Sequence, residues 1–224
     1  MKILITNDDG IGADGIAMLE QAAKPFGEII TVAPNSALSG CGHQISLDCN
    51  LQLVEVGENR FQLNGMPADC VRIAVARFGP FDWVLSGINQ GANLGVDLFI
   101  SGTVAAAREA SQLSIPAIAF SQYRMNLTSQ ASWESSRLHT SHVLPKLFGR
   151  ILDPGQFWNV NFPDVPDLEQ PEVIDCDVDT MALPMEYKSN GNAYRFAGDY
   201  HSRPRKKGTD VDCCFSGNIT VSRV

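Results

Sequence analysis

Residues 2–10, Lys-Ile-Leu-Ile-Thr-Asn-Asp-Asp-Gly, run from an apolar stretch straight into two adjacent carboxylates. Residues 2–6 read as a short buried strand, and Gly10 marks the turn that closes it. Asp8 and Asp9 are thereby placed at the carboxyl end of a first strand, the edge of an open α/β sheet where ligands bind. Neighbouring carboxylates repel unless a cation, a shared proton or water relieves them. Oxygen ligands suit hard divalent cations such as Mg²⁺, Mn²⁺ and Ca²⁺. A plain Asp-Asp-Gly surface turn is the alternative that these residues leave open.

The rest of the chain supports a parallel sheet. Residues 14–25 carry Ile16, Leu19 and Ala23 at helical spacing, and residues 28–33 read as a second buried strand ended by Pro34. A strand–helix–strand unit of this kind implies a right-handed crossover. Residues 35–42 form a small-residue loop, and the alternating stretch 43–63 reads as an antiparallel excursion. Pro67 sits near the first turn of a helix that runs to about Phe78. A third core strand over 82–85 leads into a glycine-rich loop over 86–95. A helix over 103–112, a strand over 115–120, a polar helix over about 130–150 and a strand over 157–162 follow. Beyond Pro163 the texture changes to Pro, Gly, Asp and basic residues with little helical period, which reads as hairpin-rich. The expected division is therefore 1–163 for the α/β core and 164–224 for a C-terminal β-hairpin-rich appendage packed on it.

A length of 224 residues with 44% hydrophobic and 19% charged residues fits one soluble α/β domain with a small appendage. The net charge of −8 argues against a nucleic-acid polymer as partner and is compatible with a compact phosphorylated ligand if a metal supplies local positive charge. The six cysteines include no Cys-x-x-Cys pair, and His43 is the only histidine near one of them, so neither zinc nor a disulfide framework is expected. The first residues are too short an apolar run for a secretory signal or a membrane span, which makes a cytoplasmic location the expectation.

Three successive strand ends carry small polar loops: Asp8-Asp9, Ser36 to Ser39, and Ser86 to Asn93. A parallel sheet brings such ends to one edge. Two carboxylates, a hydroxyl and an amide oxygen make a partial octahedral shell that water and a phosphate oxygen would complete. Ser101-Gly102-Thr103 opens a helix whose first N–H groups form an anion site. Taken singly, Ser101 or Thr103 reads as an N-cap, Asn89 and Asn93 as turn residues, Ser39 as a turn residue and His43 as a core or surface histidine. Together, on one sheet edge, they read as phosphoryl chemistry.

The stretches ILITNDDG (3–10), VAPNSALSG (32–40), GMPADCV (65–71), VLSGINQGANLG (84–95), SGTVAAA (101–107) and GTDVD (208–212) closely resemble the SurE family of survival-protein-E 5′/3′-nucleotidases. The resemblance implies a Rossmann-like α/β catalytic core with a mostly parallel sheet flanked by helices. It also implies a homodimer or homotetramer built partly by the late hairpin. The implied activity is metal-dependent hydrolysis of nucleoside 5′- and 3′-monophosphates, extending in some relatives to short polyphosphate. Carried over residue by residue, the family's ligands for one divalent cation per subunit, Mg²⁺ or Mn²⁺, fall on Asp8, Asp9, Ser39 and Asn89. Asn93, Ser101, Gly102 and Thr103 match its phosphate-side loop, and Asp8 or Asp9 doubles as proton acceptor. Adjacent aspartates fit an aspartyl-phosphate route poorly, so attack by water is the preferred route.

Three departures from the family pattern stand out. Leu38 occupies the place of a usual basic residue, Ala92 replaces a more usual proline or glutamate, and the chain stops at Val224 without the longer tail of many relatives. Tyr187, Tyr194, Arg195, Phe196, Tyr200, His201 and Arg203 offer either nucleobase contacts or, the favoured reading, a packed hairpin at a subunit interface. A non-catalytic nucleotide- or metal-binding module on the same fold is the competing expectation. A dinucleotide-dependent oxidoreductase is disfavoured, because the first strand leads to Asp-Asp-Gly instead of a glycine fingerprint.

Overall fold

A computed structural model describes residues 1–125, 132–166 and 170–224. In chain order its elements are β1 (Lys2–Thr6), α1 (Asp14–Ala23), β2 (Glu28–Pro34), β3 (Leu53–Gly57), β4 (Arg60–Leu63), α2 (Pro67–Phe78), β5 (Trp83–Gln90) and α3 (Gly102–Gln112). They continue with β6 (Ala117–Gln122), α4 (Trp133–Phe148), β7 (Trp158–Phe162), β8 (Val173–Asp175), β9 (Tyr187–Asn190), β10 (Ala193–Phe196), α5 (Asp210–Phe215) and β11 (Ile219–Arg223).

Nine strands form one sheet in the order β3-β4-β2-β1-β5-β6-β7-β11-β8. The six from β4 to β7 run parallel. β3 is antiparallel to β4 at one edge, and β11 is antiparallel to β7 at the other. The chain leaves β1 for β2 on one side and reaches β5 on the other, so strand order reverses at β1. That reversal opens a crevice at the carboxyl ends of β1 and its neighbours.

The two-residue period of the strands sorts the core into two layers. Ile3, Ile5, Leu85, Ile118 and Phe120 pack against α1 and α4. Leu4, Val32, Val84, Ala117 and Ala119 pack against α2 and α3. Alanine meets alanine under α3, with Ala106, Ala107 and Ala110 in the same cluster as Ala117 and Ala119.

Several elements differ from the sequence expectation for identifiable reasons. The first helix stops at Ala23, because Lys24–Phe26 tightens into a 3-10 turn around Pro25. The strand expected from residue 115 begins at Ala117, after Pro116. The polar helix runs over Trp133–Phe148, while residues 130 and 131 lie outside the described residues. The third strand does not yield to a loop at residue 86. It continues to Gln90 through an irregularity in register between Ser86 and Asn89. Gly87 permits this with φ at +130°, where a Cβ would lie 2.3 Å from the Phe120 carbonyl oxygen. Within 164–224, β9 and β10 form a separate antiparallel hairpin, whereas β8 and β11 extend the main sheet.

The N-terminus of α1 sets the position of β5. A Cβ on Gly15 would fall 1.9 Å from the Ile88 carbonyl oxygen. Helix propensity favours alanine over glycine by about 1 kcal/mol, but overlap with a backbone oxygen outweighs that gain. Gly15→Ala is expected to lower unfolding free energy by about 1–3 kcal/mol in denaturant titrations. A stabilised variant would contradict the packing argument.

Candidate functional site

The turn after β1 is closed by Asn7, whose Nδ2 donates to the Gly10 carbonyl (2.9 Å) while its Oδ1 accepts from the Gly10 N–H (3.1 Å). This turn carries both carboxylates. Asp8 is buried, and its Oδ1 accepts from the Thr103 hydroxyl at 2.5 Å. Asp9 is half-buried, and its Oδ2 accepts from the Gln90 N–H at 3.1 Å. Among the described residues no lysine, arginine or histidine forms an ion pair with either. Burial pushes the Asp8 carboxyl up to about 6, aided by the negative charge of Asp9 and opposed by the Thr103 hydrogen bond. Burial also raises Asp9, against the pull of the Gln90 N–H.

The loop after β2 folds back onto this turn. The Leu38 N–H donates to the Asp8 carbonyl at 2.8 Å, and exposed Ser39 is the next residue along the chain. The Gly42 N–H donates to the Ile100 carbonyl at 2.9 Å, tying the same loop to the approach to α3. Beyond it, His43 Nε2 meets Glu109 Oε2 at 2.8 Å, and Arg72 holds the other Glu109 oxygen at 2.7 Å. Ser46 donates to Asp69 from both its N–H and its hydroxyl. His43 thus anchors the loop to the middle of α3.

Asn89 sits at the end of β5, next to the residue that bonds Asp9. Its Nδ2 donates to the Gly91 carbonyl at 2.8 Å, so its carbonyl oxygen is the atom suited to a cation. The donor set fits a hard divalent ion: two carboxylates lacking a cationic partner, a hydroxyl and an amide oxygen. Among the described residues no three His, Cys, Asp or Glu side chains come together to hold a metal.

The N-terminus of α3 closes the other side. Ser101 Oγ accepts from the Val104 N–H at 3.1 Å and is the N-cap, while the Thr103 hydroxyl is committed to Asp8. The N–H groups of Gly102 and Thr103, at the start of the helix, have no carbonyl to bond within it and carry its positive end. A Cβ on Gly102 would lie 2.6 Å from Cys41 Sγ and 2.7 Å from Asp8 Cβ. Glycine alone permits this approach. The Cys41 thiol is itself pushed up by burial and by Asp8.

Asn93 is buried and held at every polar group of its backbone. Its N–H donates to Asn161 Oδ1 (2.9 Å), and its carbonyl accepts from Asn159 Nδ2 (2.9 Å) and Asn161 Nδ2 (3.0 Å). Its own Nδ2 donates to Ser121 Oγ at 2.8 Å. The C-terminal segment also reaches this loop. Asp210 accepts from the Gly95 N–H at 2.8 Å, and buried Arg203 pairs with Asp97 at 2.8 Å. Sequence reasoning gave no role to Asn7, Asn159, Asn161 or Asp210, and it read Arg203 as a nucleobase contact or interface residue, whereas Arg203 is buried against Asp97. The available signal was two asparagines alternating inside the apolar strand Trp-Asn-Val-Asn-Phe.

Residues 3–182 match the family described as Survival protein SurE. A provisional 5′-nucleotidase of Nostoc sp. is 43% identical over 226 residues, spanning 100% of this chain and 99% of that protein. The 5′-nucleotidase SurE of Histophilus somni is 42% identical over 231 residues, spanning 100% and 92%. The crystal structure of the SurE protein from Aquifex aeolicus matches with a TM-score of 0.88 at 29% identity, covering 100% of this chain and 93% of that one.

The raised Asp8 carboxyl gives a pH signature in chelator-treated protein. The unfolded chain releases this proton near its ordinary value of 3.8 and the folded chain only near 6. Stability therefore falls as pH rises between those values and levels off above about pH 6, after a loss of about 3 kcal/mol. Asp8→Asn keeps an oxygen for Thr103 and removes the charge. Melting curves in chelator should show the variant more stable than wild type at pH 7 and no more stable at pH 4. Equal stability at pH 7 would contradict the assignment.

Proposed function

The chain belongs to the SurE family, and from that premise we propose that it is a divalent-metal-dependent phosphatase that hydrolyses nucleoside 5′- and 3′-monophosphates to nucleoside and phosphate. The observation that carries the reading is the meeting, at the switch point of the sheet, of two carboxylates lacking a cationic partner with the positive end of α3. Asp8, Asp9, Ser39 and Asn89 would hold one Mg²⁺ or Mn²⁺ per subunit, which would supply Lewis-acid charge to the phosphoryl oxygens and make a nearby water more acidic.

The chain's own groups do the remaining work. Thr103 fixes Asp8 and the Gln90 N–H fixes Asp9, so the carboxylates stay in place as the ester reacts. Asp9, the more exposed of the two, takes the proton of the attacking water. The N–H groups of Gly102 and Thr103, together with the Asn93 side chain, stabilise the charge that spreads over the phosphoryl oxygens. The capping bond of Ser101 keeps that helix end in register.

The β9–β10 hairpin exposes Tyr187 and Tyr194, at 61% and 72%, together with Phe196. Exposed aromatics on a projecting hairpin support a homodimer or homotetramer in which a partner covers them. Among the described residues no helix is long and apolar enough to cross a membrane, which is compatible with the cytoplasmic location proposed here. The acidic balance supports small nucleotides over nucleic acid as substrate.

The test is phosphate release from a panel of 5′- and 3′-nucleotides and tripolyphosphate, with Mg²⁺ or Mn²⁺ and with chelator. Release is expected to stop with chelator and return with either metal. Asp8→Ala and Asp9→Ala should each lower kcat/KM by about 100-fold or more, since ligand and charge are lost together. Near-normal turnover in both variants would remove the metal-site assignment. A wild-type protein that binds nucleotide without turnover would favour a binding module.

A further inference from the structure

We propose that Asn161, seconded by Asn159, is a positioning residue for the phosphoryl-transfer site, acting through the peptide of Asn93; the inference rests on the phosphatase reading above. β7 is separated from β5 by β6, so Asn161 lies apart from the four metal-site residues in the sheet order. Its carboxamide nevertheless makes two complementary bonds to one residue, accepting from the Asn93 N–H and donating to the Asn93 carbonyl. Asn159 adds a second donor to the same carbonyl. Asn159 and Asn161 are both fully buried.

These bonds belong to a polar rung that crosses the sheet. Ser121, Asn161 and Thr220 are direct neighbours on β6, β7 and β11, so their side chains share one face. Ser121 receives the Asn93 side chain, and Asn161 receives its backbone. Thr220, on the same rung, has a hydroxyl with no hydrogen-bond partner among the described residues. An asparagine on a buried strand is costly unless its donors and acceptor are matched. For Asn161, Asn93 supplies a partner to both the donor and the acceptor, whereas Asn159 uses its donor alone and its Oδ1 has no partner among the described residues. A carboxamide presents, at any pH, a donor and an acceptor side by side, as a peptide N–H and carbonyl require. The rung therefore fixes both the backbone and the side chain of the loop that leads from Asn89 to the N-terminus of α3.

The experiment compares Asn161→Ala, Asn161→Asp and Thr220→Val with wild type in metal-loaded full-length protein. The readouts are kcat, KM, half-saturating Mn²⁺ and circular dichroism across pH. Asn161→Ala should lower kcat by about 10- to 100-fold with a smaller change in KM and leave half-saturating Mn²⁺ within about twofold, because Asn93 is not a cation ligand. Thr220→Val should keep kcat within about twofold.

Asn161→Asp is the decisive variant. Ionised, the carboxylate lacks the donor and faces the Asn93 carbonyl; protonated, it restores donor and acceptor together. Its kcat relative to wild type should therefore rise as pH falls, while the Asn161→Ala ratio stays flat. A merely structural role would not produce that difference. The proposal is overturned by Asn161→Ala at wild-type kcat, or by a pH-independent Asn161→Asp ratio. Loss of Mn²⁺ affinity in parallel with kcat would also overturn it. If Asn161→Ala fails to fold, the pH series of Asn161→Asp decides. A wild type inert toward every nucleotide overturns the phosphatase reading, and this inference with it.

Discussion

The carboxylates of Asp8 and Asp9 lie side by side at the end of a central strand, and among the described residues no cationic side chain pairs with either. The chain holds this charge in place without neutralising it. Asn7 closes the turn beneath the pair, Thr103 bonds one carboxylate, and the Gln90 N–H bonds the other. Each of these partners is neutral. They orient the oxygens and leave the net charge for a ligand to balance, which is why burial raises both carboxyls in the protein alone. A salt bridge would have made the turn more comfortable and closed it to a cation.

Close approach is the second constraint, and it follows from the first. Thr103 reaches Asp8 only because α3 comes down onto the end of β1, and Gly102 has no Cβ to prevent it. The same helix rests on Ala117 and Ala119 through its own alanines, so its whole length sits low on the sheet. On the opposite face, Gly15 lets α1 touch the carbonyl of Ile88, the residue before Asn89. Small side chains on both faces thus fix how deeply the helices sit, and that depth sets where the oxygen donors converge.

Much of this was legible in the sequence. An apolar run ending in Asp-Asp-Gly announces a strand end, and glycine- and serine-rich loops after later strands place more donors on the same edge. The sheet, the crossover helices and the three loops follow from local pattern. What escaped was long-range or disguised. Gly87 reads as a loop residue, yet it serves a strand that bends and continues to Gln90. Ser101 reads as a cap or as a phosphate ligand, and the structure shows the cap, with the helix N–H groups left for an anion. Asn159 and Asn161 look like ordinary polar alternation until Asn93 folds back over them. A three-residue strand such as β8 has no period to detect, and its pairing with β11 comes from a segment more than forty residues later.

The late segment also explains why the loop over 91–101 does not stand alone. Its underside is gripped by the asparagines of β7, and its other side is met by residues from position 200 onward. Asp210 bonds the N–H groups of Gly95 and Asp179. Arg203 and Tyr200 both converge on Asp97. Leu94 is buried against Tyr123, Val211 and Cys214, with Ala92 packed at the edge of that cluster. Tyr200 and Phe215 pack against the same cluster as Ala92. α5, which carries Asp210, Val211 and Cys214, directly precedes β11, the strand that pairs with β7. The Asn93 loop is in this way held by contacts from the C-terminal part, although the first candidate ligands lie within ten residues of the N-terminus. The site is local in its chemistry and global in its support.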